Sequence, residues 1–237
     1  RLHWAAAQVR GRLSGENWLA LLELQRDMQA LDPARTDLGE ALDFLNRLVM
    51  SLAALSGFAL DDMTRDDGWR FLMIGRRIER VRFFAESIAA FLDGGSAWDA
   101  GALEWLLELG NSGITYRSRY LASPQLVPVL DLLLLHEQNP HSLRFQLQAL
   151  ERSLERLHEE FGAPRERELR TLGERLRSFD LAALESPLFG AAGLDEVLVG
   201  LARLLRDIAA CAGQVSDRLG LRYFAHVDDV SQRTVST

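Results

Sequence analysis

Residues 143–161 read LRFQLQALERSLERLHEEF, and their large apolar side chains recur at alternating steps of four and three. Because an α-helix has 3.6 residues per turn, this spacing places those side chains on one helical face. Residues 38–52 and 194–219 carry the same pattern. The three stripes consist of Leu143, Leu147, Leu150, Leu154, Leu157 and Phe161; of Leu38, Leu42, Leu45, Val49 and Leu52; and of Leu194, Leu198, Leu201, Leu205, Ile208, Ala212, Val215 and Leu219. No segment alternates β-branched and polar residues, so the sequence predicts an all-α protein.

Capping residues and prolines mark where the helices begin and end. Residues 64–67 (TRDD) place acidic groups at a helix N-terminus. Ser123-Pro124 and Asn139-Pro140 each offer a capping side chain followed by proline at the first helical position. Such boundaries predict an antiparallel multi-helix bundle of about seven or eight helices with short connections. Residues 178–193 are expected to be irregular with one short helix, and the chain from Tyr223 onward to form an irregular tail.

Composition and charge restrict the class of protein. The net charge of -7 argues against a non-specific nucleic-acid surface. The chain contains no lysine, so all 27 basic residues are arginines, which suit planar contacts with carboxylate or phosphate. Cys211 is the only cysteine, which excludes an intramolecular disulfide and a cysteine zinc cage. The apolar run Leu132–Leu135 is too short to span a bilayer, so we expect a cytoplasmic protein without a membrane partner.

The predicted helix over residues 65–92 has an unusual second face. Opposite its apolar side, this face mixes charged, aromatic and aliphatic side chains: Arg65, Trp69, Leu72, Arg76, Glu79, Arg80 and Phe83. Arg76, Glu79 and Arg80 are spaced for contacts one helical turn apart. Three interpretations remain: a structural salt-bridge network between helices, an anion or phosphate site in which Glu79 orients the guanidinium groups, or a simply exposed face.

The segments around this helix resemble the alpha-E domain family, whose name comes from a Glu-Arg motif. Residues 75–80 (GRRIER), preceded by 63–72 (MTRDDGWRFL), are similar to that motif. The resemblance continues in 12–18 (RLSGENW), 115–120 (TYRSRY) and 124–135 (PQLVPVLDLLLL). It implies one helical alpha-E-like domain over residues 1–237. Because family members usually open with another Glu-Arg helix, we expect that this chain lacks their N-terminal helical segment.

The resemblance also implies a functional context. Members of the family are typically encoded beside, or fused to, a circularly permuted ATP-grasp protein, and ATP-grasp enzymes usually join a carboxylate to an amine through an acyl phosphate. The resemblance therefore implies that the chain is an accessory or partner domain of an ATP-grasp ligase in peptide or amide-bond modification, with a peptide as a possible substrate. ATP and Mg²⁺ are expected only through that partner. The alternative is an enzyme in its own right that acts on a peptide or acyl-phosphate-type substrate.

The candidate residues for binding an anion or a partner combine the helix face with the family segments, and we expect them to meet in one partly buried network. They are Arg12, Glu16, Arg65, Trp69, Arg76, Glu79, Arg80, Tyr116, Arg117, Arg119 and Tyr120. No catalytic nucleophile is evident. His136 and His141 are five residues apart with Pro140 between them, whereas a zinc helix needs histidines four apart, so no metal site is expected. Both histidines also occupy positions where the family resemblance predicts acidic or arginine residues.

Overall fold

The structure is a computed structural model that describes residues 2–32, 34–95, 97–185 and 191–224. These residues contain ten α-helices and no strand, so the all-α prediction is confirmed. The predicted number of helices was too low. One additional break follows α5, where Gly110 ends the helix and Asn111 adopts a left-handed φ of 44°. Residues 225–237, predicted to be an irregular tail, and residues 186–190 of the predicted irregular stretch lie outside the described residues.

The chain divides into two compact units, Arg1–Leu72 and Met73–Thr237. The described residues of the first unit form three complete helices and the start of a fourth. Its helices are α1 (Leu2–Gln8), α2 (Gly15–Ala30), α3 (Leu38–Asp61) and the first turn and a half of α4 (Asp67–Asp93). Ser14 caps α2 by accepting a hydrogen bond from the Asn17 backbone N–H, and Asp37 and Glu40 form a reciprocal capping box at α3. α2 packs against α3.

The apolar stripe of α3 is helical as predicted, but its side chains are exposed. Leu38 is 77% exposed and Val49 is 63% exposed, and Leu42, Leu45 and Leu52 are exposed as well. Periodicity determines which side chains share a face, whereas burial depends on whether another element covers that face. The stripe over residues 38–52 therefore contributes little to the core of the first unit.

By length and composition, α3 is also the one helix in the described part of the chain that could cross a membrane. Its most apolar 18-residue window has a mean hydropathy of 1.3, and none of that window is buried. One such helix is by itself weak evidence for a membrane span. The expectation of no membrane partner stays a prediction.

The second unit holds the main core. Besides the remainder of α4, its helices are α5 (Ala100–Leu109), α6 (Gly113–Tyr120), α7 (Leu126–Leu130), α8 (Leu143–Phe161), α9 (Arg167–Arg177) and α10 (Ala191–Tyr223). The stripes of α8 and α10 are buried along most of their length, with Leu147, Leu150, Leu201 and Leu205 at 0% exposure. α9 packs against both α8 and α10. A 3₁₀ turn at Leu181–Glu185 is the short helix expected within residues 178–193.

A π-helix and a polar turn connect α7 to α8. Asp131–Leu135 forms the π-helix, and its three central leucines, Leu132, Leu133 and Leu134, are buried. Buried Asn139 then donates hydrogen bonds to Ser112 Oγ and to the Leu132 carbonyl, both at 3.1 Å. α8 therefore begins at Leu143 with Ser142 as its cap, three residues later than the predicted Asn139-Pro140 start, because Asn139 is used inside the turn. α7 likewise begins at Leu126, two residues after the predicted Pro124.

Candidate functional site

In the first unit, Arg12 is charge-paired. Its guanidinium contacts the carboxylate of Asp66, the residue before α4. Asp66 also accepts a hydrogen bond from the Trp69 backbone N–H at 3.1 Å. That backbone bond, followed by the charge and hydrogen bond of Arg12, holds the pKa of the Asp66 carboxyl below its usual value, although desolvation opposes them. A Cβ at Gly68 would lie 3.0 Å from Arg12 Nη1, so glycine permits this close approach. Glu16 is exposed and has no ion pair among the described residues.

Arg65 and Trp69 form a local pair at the start of α4. The Arg65 guanidinium carbon lies 4.4 Å from the Trp69 ring centroid, within the range of a cation–π contact. Arg65 Nη2 also donates to the Leu60 carbonyl, which ties α3 to α4 inside the first unit. The indole Nε1 of Trp69 is buried and has no hydrogen-bond partner among the described residues. Arg65 is thus already engaged, whereas the Trp69 N–H is an unused donor.

In the second unit, α4 carries Arg76, Arg77 and Arg80, none of which forms an ion pair with a described residue. Arg76 and Arg77 are half-buried, and Arg80 is exposed. The expected pairing of Glu79 with Arg76 and Arg80 is not observed. Glu79 is exposed, and its ion pair, at 3.8 Å, is with Arg82 on the following turn. The three arginines therefore have no carboxylate that balances their charge in the described part of the unit.

Arg77 has the least favourable surroundings of the three arginines. Burial lowers the pKa of its guanidinium first, and the positive charges of Arg152, Arg80 and Arg76 lower it further. Its Nη1 donates one long hydrogen bond, 3.4 Å, to Oε1 of Gln146 on α8. Its Nε is buried without any hydrogen-bond partner in the described residues. We refer to Arg76, Arg77, Arg80 and Arg152 as the arginine cluster.

The Tyr116–Tyr120 segment of α6 is mainly occupied in shaping the next turn. Buried Tyr116 donates to the Ser123 carbonyl at 3.3 Å, and its hydroxyl accepts from the Gln125 backbone N–H at 3.1 Å. The rings of Tyr116 and Tyr120 lie 4.8 Å apart. The first hydroxyl is therefore satisfied by backbone groups, which explains its burial without a catalytic role.

Around Tyr120 lies a smaller polar group. The Tyr120 hydroxyl lies 3.5 Å from Oδ2 of Asp131, at the start of the π-helix. Burial, followed by the Asp131 charge, raises the pKa of the Tyr120 hydroxyl. Arg119 stacks 5.7 Å from the Tyr120 ring centroid and contacts Nε2 of His136. Arg117 is exposed.

The eleven predicted residues are divided between the two units. Arg12, Glu16, Arg65 and Trp69 belong to the first unit, and the other seven belong to the second. Within the second unit, no hydrogen bond, ion pair or ring contact between described residues joins the α4 arginines to Tyr116–Tyr120. Sequence reasoning missed Arg77, Gln146 and Arg152. The apolar stripe of α8 gave no signal for Gln146, because the stripe continues from Leu143 to Leu147 without a break past this buried side chain.

The described residues give little support for a metal site or for a cysteine nucleophile. No group of three or more His, Cys, Asp or Glu side chains there could hold a metal ion. Cys211 is buried, and burial raises the pKa of its thiol to about 11. The thiol is therefore protonated at neutral pH and is a weak nucleophile.

Comparison with known proteins identifies the family. A family model described as a predicted α-helical domain with a conserved ER motif matches residues 1–224. The chain belongs to the alpha-E family. Glu79-Arg80 is the Glu-Arg pair in the segment that resembles this motif.

Similar curated proteins are themselves uncharacterized. Three proteins, one from Mycobacterium bovis and one from each of two Mycobacterium tuberculosis strains (CDC 1551 and H37Rv), are 31% identical to this alpha-E chain over 214 residues. The match covers 86% of this chain but only 24% of each relative. No solved structure matches.

Proposed function

We propose that this alpha-E domain is an accessory or partner domain of an ATP-grasp carboxylate–amine ligase in peptide or amide-bond modification. The domain binds the ligase or an anionic group of its substrate through the arginine cluster. The observation that carries the proposal is the lack of charge balance on α4: Arg76, Arg77 and Arg80 have no ion-pair partner among the described residues. A ligand or a protein partner would supply the missing negative charge.

The chemistry of arginine favours two kinds of anion. A guanidinium group presents its N–H donors in a planar fork, which can give two parallel hydrogen bonds to a carboxylate or a phosphate. An ATP-grasp reaction contains both groups, since a carboxylate is converted to an acyl phosphate before the amine attacks it. An arginine surface is therefore suited to either the substrate or the intermediate of such a ligase.

Exposed apolar surface beside the arginines supports a macromolecular partner. Phe83, one turn after Arg80 on α4, is 56% exposed. Aromatic and arginine side chains are enriched at the centres of protein interfaces. The ATP-grasp assignment itself rests on the family resemblance. In the mycobacterial relatives the matched segment is joined to a much longer chain, because it makes up 24% of their length. The partner can therefore belong to the same chain or to a separate one.

Reconstitution with the cognate ATP-grasp protein tests the proposal. ATP consumption, product formation and complex formation would be measured with the wild-type domain, with Arg77→Gln and with Arg203→Gln. Arg203 is the matched control, since it is exposed on α10 and has no ion pair among the described residues. We expect the domain to promote formation of the product, and only Arg77→Gln to weaken this effect.

Two results would overturn the proposal. If the ligase forms its complete product equally well without the domain and no complex is detected, the partner role is wrong. If the isolated domain turns over a peptide or acyl-phosphate substrate by itself, it is instead an enzyme.

A further inference from the structure

We infer that Arg77, Arg80 and the first turn of α8 form a subsite for a dianionic phosphoryl group. This inference names the ligand class of the anion site proposed above and rests on that proposal. Three features support it: the unused donors of Arg77, the surplus of positive charge, and the position of the α8 N-terminus.

Arg77 has more donors than its surroundings accept. A guanidinium carries five N–H donors. The hydrogen bond to Gln146 at 3.4 Å is long, and the buried Nε has no acceptor among the described residues. An unsatisfied buried donor is costly, and the cost is greater for a charged group. A phosphoryl group offers three acceptor oxygens on one atom, so it can receive Nη donors of Arg77 that Gln146 does not accept and still contact a neighbouring side chain.

The charge of the cluster favours a dianion over a monoanion. Arg76, Arg77 and Arg80 lie within five residues of α4, and Arg152 on α8 is close enough to lower the pKa of Arg77. A single carboxylate would neutralise one of these four positive charges. A phosphoryl group carries almost two negative charges at neutral pH, and therefore removes more of the mutual repulsion.

The start of α8 adds a further positive contribution. α8 is 19 residues long, and the positive end of its dipole lies at Ser142, its N-cap. Gln146, which accepts the Arg77 bond, is in the first turn, and its Nε2 donates to the Pro140 carbonyl at 2.5 Å. The positive charge of Arg80 also acts on this region, since it lowers the pKa of His141 after the larger effect of burial. Arg77 contacts this turn through Gln146, and the positive charge of Arg80 and the positive end of the helix dipole add to the potential there, which favours an anion.

Isothermal titration calorimetry of the full chain with inorganic phosphate and with acetate, at constant ionic strength, tests the ligand class. The variants are Arg77→Gln, Arg80→Gln and the control Arg203→Gln, each compared with wild type by circular dichroism before titration. We expect phosphate to bind more tightly than acetate. Either cluster variant should weaken phosphate binding about tenfold or more, whereas the control should not. Two separate cluster variants keep the test valid if one of them does not fold.

The source of the phosphoryl group is resolved by two further titrations. ADP represents a nucleotide, and acetonylphosphonate represents an acyl phosphate in a form that does not hydrolyse. Tighter binding of either compound than of inorganic phosphate, lost in Arg77→Gln, supports the subsite and identifies the source.

The subsite is wrong if acetate binds as tightly as phosphate, or if Arg77→Gln and Arg203→Gln weaken phosphate binding equally. The first result would leave an anion site for carboxylates, and the proposed partnership with the ligase could still hold. Conversely, phosphate binding at Arg77 together with failed reconstitution would support the subsite and contradict the ligase partnership.

Discussion

Arg77 and Glu79 are two residues apart on α4, yet their surroundings give opposite expectations for mutation. Arg77 is half-buried among like charges, so its charge opposes folding. Glu79 is exposed, and its ion pair with Arg82 spans 3.8 Å. Exposed pairs of this kind stabilise a protein by about 1 kcal/mol or less.

The first prediction follows from this contrast. Arg77→Gln should leave the free energy of unfolding unchanged or raise it by up to about 1 kcal/mol, because one repulsive charge is removed. Glu79→Gln should lower the free energy of unfolding by less than about 1 kcal/mol. Urea denaturation at low salt measures both values. A loss of several kcal/mol in Glu79→Gln would show that Glu79 belongs to a buried network after all.

The second prediction concerns Glu151, whose buried Oε1 has no hydrogen-bond partner in the described residues. Burial raises the pKa of this carboxyl, although the Arg144 charge acts in the opposite direction. A raised pKa means that the folded state holds the proton more tightly than the unfolded state. The resulting stability is present below the unfolded pKa, near 4.5, and is lost as the pH rises through the folded value.

Glu151→Gln removes the titrating carboxyl, so the variant should not lose stability as the pH rises through the folded-state pKa of Glu151. It should therefore be more stable than wild type at pH 7. Melting temperatures of both proteins between pH 4 and pH 8 test this prediction. Parallel curves for the two proteins would contradict it. Glu155→Gln on the same helix is a suitable comparison, because Glu155 has its partner, Arg165 Nη2, at 2.9 Å.

Among the helices, the end of α5 shows how tightly the elements of the second unit pack. A Cβ at Gly110 would lie 2.8 Å from Leu133 Cδ2 in the π-helix and 2.9 Å from Phe84 Cζ in α4. Real Cβ atoms do not approach other atoms this closely, so both the leucine side chain and the aromatic ring would have to move. In contrast, a Cβ at Gly200 in α10 would meet nothing within 4 Å.

The third prediction uses this pair of glycines. Gly110→Ala should lower the free energy of unfolding by about 1–3 kcal/mol, because it overpacks a close contact. Gly200→Ala should raise it by about 0.5–1 kcal/mol, because alanine favours the helix. Chemical denaturation of both variants gives the two values. A neutral Gly110→Ala would show that the junction of α4, α5 and the π-helix is looser than its geometry indicates.

The elements also show what the sequence could and could not predict. The stripes of α8 and α3 have the same alternating spacing, and both segments are helices, because helix formation follows from local periodicity. Their burial differs, because it depends on neighbours that are remote in sequence. The same reason explains why the contacts within the candidate site could not be predicted from the sequence. The partner of Arg12 is 54 residues away at Asp66, and the acceptor of Arg77 is 69 residues away at Gln146. Helical spacing predicted contacts between Glu79 and its neighbours on the same helix. It could not predict contacts between residues that are distant in sequence, such as those of Arg12 and Arg77.

Over the whole molecule, burial is distributed unevenly between the two units. Among the described residues of the first unit, the buried apolar side chains are Ala6, Leu21, Leu24 and Ala59, whereas α8 alone buries Leu143, Leu147, Leu150, Leu154 and Leu157 together with Ala149. Since apolar burial supplies most of the stabilisation of a folded domain, the second unit should resist local opening more strongly than the first.

The fourth prediction compares one leucine from the α8 stripe with one from the α3 stripe. Leu150 is fully buried, so Leu150→Ala should cost about 2–5 kcal/mol from lost burial and the cavity that remains. Leu45 is 51% exposed, so Leu45→Ala should cost less than about 1 kcal/mol in the isolated chain. Chemical denaturation of the two variants measures the difference between their free energies of unfolding. Hydrogen exchange of the wild-type protein is a second measurement, in which amides of α3 should exchange faster than those of α8. Equal losses in the two variants would mean that α3 is covered in solution, because an exposed leucine on a helix surface has no cavity to leave behind.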